Sequence, residues 1–137
     1  MQEKDLPAVM ALSYLGDAVH SLYIRRHLVS LGISHAGELN RLSLGYVTAE
    51  KQAILAGLLL PLLNETETSV YRRAFNHKGL SRPSHASYAE YRAATGFEAV
   101  IGALHFANEQ ERLAYLLDTV HETFFQNEIQ AKDETEK

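Results

Sequence analysis

A chain of 137 residues, 46% of them apolar, has room for one domain with its own core and is far from a disordered composition. Its formal charge of −4 weighs against a uniformly basic nucleic-acid surface, and the absence of cysteine excludes disulfides and cysteine-based zinc sites. No apolar run approaches the roughly 18–20 residues that span a bilayer. The N-terminus, MQEKDLPAVM, lacks the basic start and apolar stretch of a secretory signal, so a cytoplasmic location away from any membrane is expected.

In chain order, apolar residues recur at three- and four-residue steps from Leu6 to Leu28, which predicts one long amphipathic helix ending at Gly32. Ser34 is placed to cap a second helix to about Leu44, and Thr48 a third to about Leu60. Three capping boxes follow, each a short polar cap with a glutamate three positions on: Asn64 with Glu67, Ser87 with Glu90, and Asn108 with Glu111. They predict helix starts near Glu65, Tyr88 and Glu109. No stretch alternates long enough to demand a strand. The expected class is all-α, with five to seven helices.

The charge is unevenly spread. The last ten residues, EIQAKDETEK, hold four acids and two bases and read as a solvated, disordered tail over 128–137. From Tyr71 to Arg92 the balance reverses: Arg72, Arg73, Lys78, Arg82 and Arg92 face only Glu90. Most of these lie in or beside Asn76–Ser87, a connection with Gly79 and Pro83 but no apolar period. Loops of that length often carry function.

Two helices each carry one acid in apolar surroundings. SYLGDAV sets Asp17 among Leu12, Tyr14, Leu15, Ala18 and Val19, and TGFEAVIGAL sets Glu98 beside Phe97, Ala99, Val100 and Ile101. A buried carboxylate needs a partner. Each acid either pairs with an arginine or lysine, reaches solvent at the edge of its stripe, or shares a cation with the other. Gly96 and Gly102 allow close helix approach, and small residues stand beside each acid, so Asp17 and Glu98 can face one another across a hard divalent ion. The seven histidines show no i, i+4 pair, and each is expected at the surface or an edge; only His20 lies one turn from Asp17.

Ser13–Val19 resembles the signature helix of the ribonuclease III family, close to Glu-Phe-Leu-Gly-Asp-Ala-Val. Phe97–Ala103 resembles that family's second motif, Phe/Leu-Glu-Ala-hydrophobic-Ile-Gly-Ala. The chain stops within about thirty residues of that motif, short of a double-stranded-RNA-binding domain, and so resembles the Mini-III branch, made of the nuclease domain alone. Tyr46–Ala53 and Tyr91–Glu98 resemble further segments of that branch. Arg73–Lys78 resembles its Arg-Gly-Arg-Asn-Ala-Lys segment, with Ala74 and Phe75 in place of the glycine and second arginine. Ser13 and Thr95 stand where full-length ribonuclease III has further acids, as they do in the Mini-III branch.

This resemblance implies a ribonuclease III-type helical endonuclease domain over residues 1–127. It implies that Asp17 and Glu98 hold Mg²⁺, with Mn²⁺ a substitute, and that hydrolysis of double-stranded RNA leaves 5′-phosphate and 3′-hydroxyl ends. Arg72, Arg73, Lys78 and Arg82 become candidate phosphate contacts, with Asn76 bonding near the backbone. The resemblance further implies a homodimer, with Tyr14 either packing across its interface or serving the core. The implied natural substrate is precursor 23S ribosomal RNA. The rival readings are a non-catalytic helical RNA-binding or ribosome-associated module, and a helical dimerisation protein whose two acids are neutralised by arginine.

Overall fold

The computed structural model describes residues 1–79 and 87–136, with side chains as far as Ala131. Six α-helices and no strand are found among them, in keeping with the all-α class: α1 Val9–Ser30, α2 Ala36–Val47, α3 Ala49–Leu59, α4 Glu65–Phe75, α5 Tyr88–Phe106 and α6 Gln110–Glu136. None of these is long and apolar enough to cross a membrane.

Helix α1 begins later than its apolar pattern suggests, because Pro7 holds the preceding backbone extended and Ala8 takes the N-cap. Leu6 still packs against the core from outside the helix. The buried stripe of α1 runs Val9, Leu12, Ser13, Gly16, His20, Ile24, Leu28, and the helix stops at Gly32, whose φ of 86° suits a residue without Cβ.

Ser34 does not cap α2. His35 takes that position without a side-chain bond, and the helix continues to Val47. Thr48 then closes α2 and opens α3, its hydroxyl accepting from the Lys51 N–H. Pro61 lies in the 3₁₀ turn Leu60–Leu62 that follows α3.

The first two capping boxes form as predicted, at Asn64/Glu67 and Ser87/Glu90, with both reciprocal bonds in each. Glu67, 1% exposed, also receives Arg112 of α6 at 2.8 and 3.0 Å, tying the start of α4 to α6. The third box does not form. Asn108 instead ends α5 in the left-handed conformation (φ 59°). Its N–H donates to the His105 carbonyl and that of Glu109 to Leu104, the paired bonds of a Schellman motif.

Helix α5 is the hub. Ten of its residues are buried, and it packs against α1, α3, α4 and α6. Where it crosses α1 the backbones touch: a Cβ on Gly16 would collide with the Glu98 carbonyl oxygen, and one on Gly102 with that of Leu12. Gly96 instead admits the ring of Tyr71 from α4. Helix α6 places Leu113, Leu116, Leu117, Val120, His121 and Phe124 inside, whereas residues 125–131 are exposed. Beyond residue 127, where composition suggests a tail, α6 runs on to Glu136.

Candidate active site and nucleic-acid interface

The α1–α5 crossing brings the two acids together. Gly16 lets α1 rest on the backbone of Glu98, and Asp17, the next residue, then lies against the Glu98 carboxyl as its hydrogen-bond partner. Both line an open cleft of about 400 Å³ with Ser13, Tyr14, Gln52 and Tyr91. Asp17 is exposed, because it falls at the edge of the stripe formed by Ser13, Gly16 and His20; Glu98 is half-buried. Of the arrangements open to these acids, Asp17 takes the edge position and the mutual contact together.

Electrostatics mark the pair. The Glu98 carboxyl is pushed up to about 9, first by burial, then by the hydrogen bond to Asp17 and its charge, while a hydrogen bond from Gln52 pulls the other way. Neither acid belongs to an ion pair among the described residues; those pairs join Met1 to Glu109, Arg41 to Glu38, Arg73 to Glu3 and Arg112 to Glu67. Two abutting carboxyls without a counter-charge, open to solvent, suit a hard divalent cation. Among the described residues no group of three or more histidine, cysteine or acidic side chains could hold a metal, so such an ion would take its remaining ligands from water and substrate. Ser13 and Thr95, at the positions of the additional family acids, are buried, and the Thr95 hydroxyl is turned back to the Tyr91 carbonyl at 2.9 Å.

Behind the pair lies a polar chain that reading the sequence missed. His20 is 0% exposed and His121 9%, against the expectation that every histidine sits at the surface or an edge. Gln52 Nε2 lies 3.1 Å from His20 Nδ1, His20 Nε2 lies 3.0 Å from His121 Nε2, and His121 Nδ1 lies 2.8 Å from the Leu117 carbonyl. The signal was present: His20 continues the Leu12–Gly16–Ile24 stripe, and His121 falls four residues after Leu117 and three before Phe124.

Arg72, Arg73, Asn76 and Lys78 are all exposed at the C-terminal end of α4 and just beyond it. Arg82 lies outside the described residues. Arg73 makes a loose contact of 3.8 Å with Glu3. Asn76 closes α4 and accepts a bond of 2.8 Å from Arg92 of α5, whose Nε donates to the Phe75 carbonyl at 2.6 Å. The Arg92 guanidinium also lies 4.6 Å above the Phe75 ring. A cation therefore covers the residue that replaces an arginine of the Mini-III basic segment. Tyr14 is 85% exposed, which removes a core-packing role within this chain.

Residues 10–109 match the Ribonuclease III domain, a range that covers both acids and every residue lining their cleft. The chain belongs to the ribonuclease III family. It is similar to Mini-ribonuclease 3 of Symbiobacterium thermophilum, with 43% identity over 79% of this chain and 83% of that one. Mini-ribonuclease 3 of Enterococcus faecalis is 40% identical over 80% of this chain and 84% of its own. That of Streptococcus pneumoniae is 41% identical over 79% and 86%. These relatives place the chain in the Mini-III branch of the ribonuclease III family. A crystal structure of a Fusobacterium nucleatum protein superposes with a TM-score of 0.78 at 25% identity, over 90% of this chain and 99% of that one.

Proposed function

We propose that this chain is a divalent-metal-dependent endoribonuclease that hydrolyses phosphodiester bonds in double-stranded RNA. Membership of the ribonuclease III family makes it a ribonuclease; the observation that carries the finer reading is the contact between Asp17 and Glu98 in an open cleft with no cation supplied by the described residues. Asp17 and Glu98 would hold Mg²⁺, or Mn²⁺ in its place. Bound there, the ion would make water a better nucleophile and steady charge on the phosphate. Water adds to phosphorus, the bond to the 3′ oxygen breaks, and the ends are 5′-phosphate and 3′-hydroxyl.

The basic end of α4 supplies recognition. Duplex RNA hides its base edges in a deep, narrow groove, so phosphates and 2′-hydroxyls are what side chains reach. Arg72, Arg73, Lys78 and Arg82 contact phosphates, and Asn76, fixed by Arg92, bonds near the backbone. One chain offers few such contacts, so affinity is weak and falls steeply with salt. A homodimer doubles the contacts and presents one site to each strand. Tyr14, a large ring exposed beside the cleft, supports that arrangement. The natural substrate in this reading is precursor 23S ribosomal RNA, met in the cytoplasm.

The test is cleavage of a long RNA duplex by the purified protein in Mg²⁺ and in EDTA, beside Asp17→Asn. Cutting in Mg²⁺ alone, lost in the variant, is expected. A duplex that is bound but intact in every lane would favour the non-catalytic RNA-binding module instead.

A further inference from the structure

Behind the acid pair, three side chains from three helices and one backbone carbonyl are linked by polar contacts of 2.8 to 3.1 Å, and their chemistry allows one arrangement of protons. The Leu117 carbonyl can only accept, so His121 donates through Nδ1. A neutral His121 then has a bare lone pair on Nε2, which must accept from the His20 Nε2–H. That leaves His20 Nδ1 bare in turn, and it accepts one N–H of Gln52. A flipped Gln52 would set its carbonyl oxygen against the lone pair of His20 Nδ1, leaving two buried acceptors facing each other, a costly outcome. The Gln52 amide is therefore locked by its first N–H, which leaves the second for Glu98, a residue lining the same cleft.

The surroundings hold this polarity. The edge-on ring of Phe97 packs against His20 at 5.0 Å between centroids, and the rings of Tyr23 and Tyr46 flank His121. Burial pulls His20 down to about 3, with His121 adding to the effect, and burial pulls His121 down to about 4, so both rings are neutral near pH 7.

We propose that His121 and His20 form a one-way hydrogen-bonded chain that aims an N–H of Gln52 at Glu98, making Gln52 and His20 positioning residues for the acid that holds the metal. The inference rests on the metal-holding role of Glu98 given above. A neutral donor suits that role: it occupies one lone pair of the carboxylate, orients it, and leaves the others for a cation. An arginine or lysine at the same place would neutralise the charge that attracts the ion. Partners of this kind change metal affinity or activity by about 10- to 100-fold when removed.

Three measurements test the proposal. Imidazole ¹⁵N NMR of the full, metal-free chain should show His121 as the Nδ1–H tautomer and His20 as the Nε2–H tautomer; the opposite tautomer at either ring overturns the chain. Calorimetry with Mn²⁺ should show the dissociation constant rising about tenfold or more in both Gln52→Leu and His20→Phe. In cleavage assays both variants should lose kcat with KM for the duplex unmoved. Variants that bind Mn²⁺ as tightly as the unmodified protein overturn the positioning role, and should His20→Phe fail to fold, the tautomers and Gln52→Leu decide. Unmodified protein that neither takes up Mn²⁺ nor cuts RNA, with the tautomers as stated, would overturn the metal-site reading instead.

Discussion

The carbonyl oxygen of Glu98 occupies the space that a side chain on residue 16 would need. One backbone contact thus fixes both the packing of α1 on α5 and the approach of Asp17 to the Glu98 carboxyl. Gly16→Ala should therefore cost about 2 kcal/mol or more, since the obstacle is backbone and cannot swing aside. Cleavage should fall further than the loss of folded protein explains, because the helices part where the acids meet. Melting curves and cleavage rates below the melting range, run side by side, measure the two effects separately. Unchanged values in both would remove the close crossing from the account.

Glu98 holds its proton more tightly in the folded chain than in the unfolded one. Its contribution to stability is complete below its ordinary pKa of 4.5 and is lost as pH rises through about 9. Above about pH 7 the unfolded histidines are largely neutral, as the two buried ones are when folded, so these two rings contribute little between about pH 7 and 9. In EDTA the melting temperature should decline over that range. The decline should be shallower in Asp17→Asn, which keeps the burial of Glu98 but removes the neighbouring charge. Mg²⁺ should oppose the decline, since binding to the carboxylate displaces the proton.

Arg73 is not idle without RNA, because Glu3 lies 3.8 Å from it. The pair is partly exposed, so it is worth no more than about 1 kcal/mol. Arg73→Ala should weaken duplex binding, measured in Ca²⁺, and lower the slope of log affinity against log salt by about one. Glu3→Gln should tighten binding up to about fivefold by releasing the arginine. A salt slope identical to that of the unmodified chain would take Arg73 off the phosphate-binding surface.

Tyr14 projects into solvent from the turn of α1 that carries Asp17. Replacing it with arginine should leave the fold of the single chain intact, as nothing in its own core depends on the ring. Sedimentation should then shift from dimer to monomer, and cleavage should drop with it. A dimer that survives the substitution would place the interface elsewhere.

Helices were legible where a stripe or a cap acts locally. Thr48, Asn64 and Ser87 each bond within their own turn, and each is found capping. Asn108 misleads because the same residue type serves either end of a helix: with α5 ending just before it, asparagine's tolerance of positive φ outweighs its capping side chain. Asp17 and Glu98 could be singled out as acids on apolar helices, since that conflict is visible residue by residue. Their contact depends on Gly16 meeting a carbonyl 82 positions away, which no local period encodes. His20 and His121 differ from that case, since each falls on the buried stripe of its own helix; only the polar partners that satisfy them across helices, Gln52 and one another, lie beyond any local period.

Arg92 stacks on Phe75, bonds its carbonyl and holds Asn76, so the basic end of α4 is fastened to α5. Six residues further along that same helix, a rise of about 9 Å, stands Glu98. In the proposed reading, a load applied by a duplex at the end of α4 would therefore be transmitted to the rod that carries the acid. Grip and cut would share one mechanical member, and a substrate that seats poorly at the first would strain the alignment of the second.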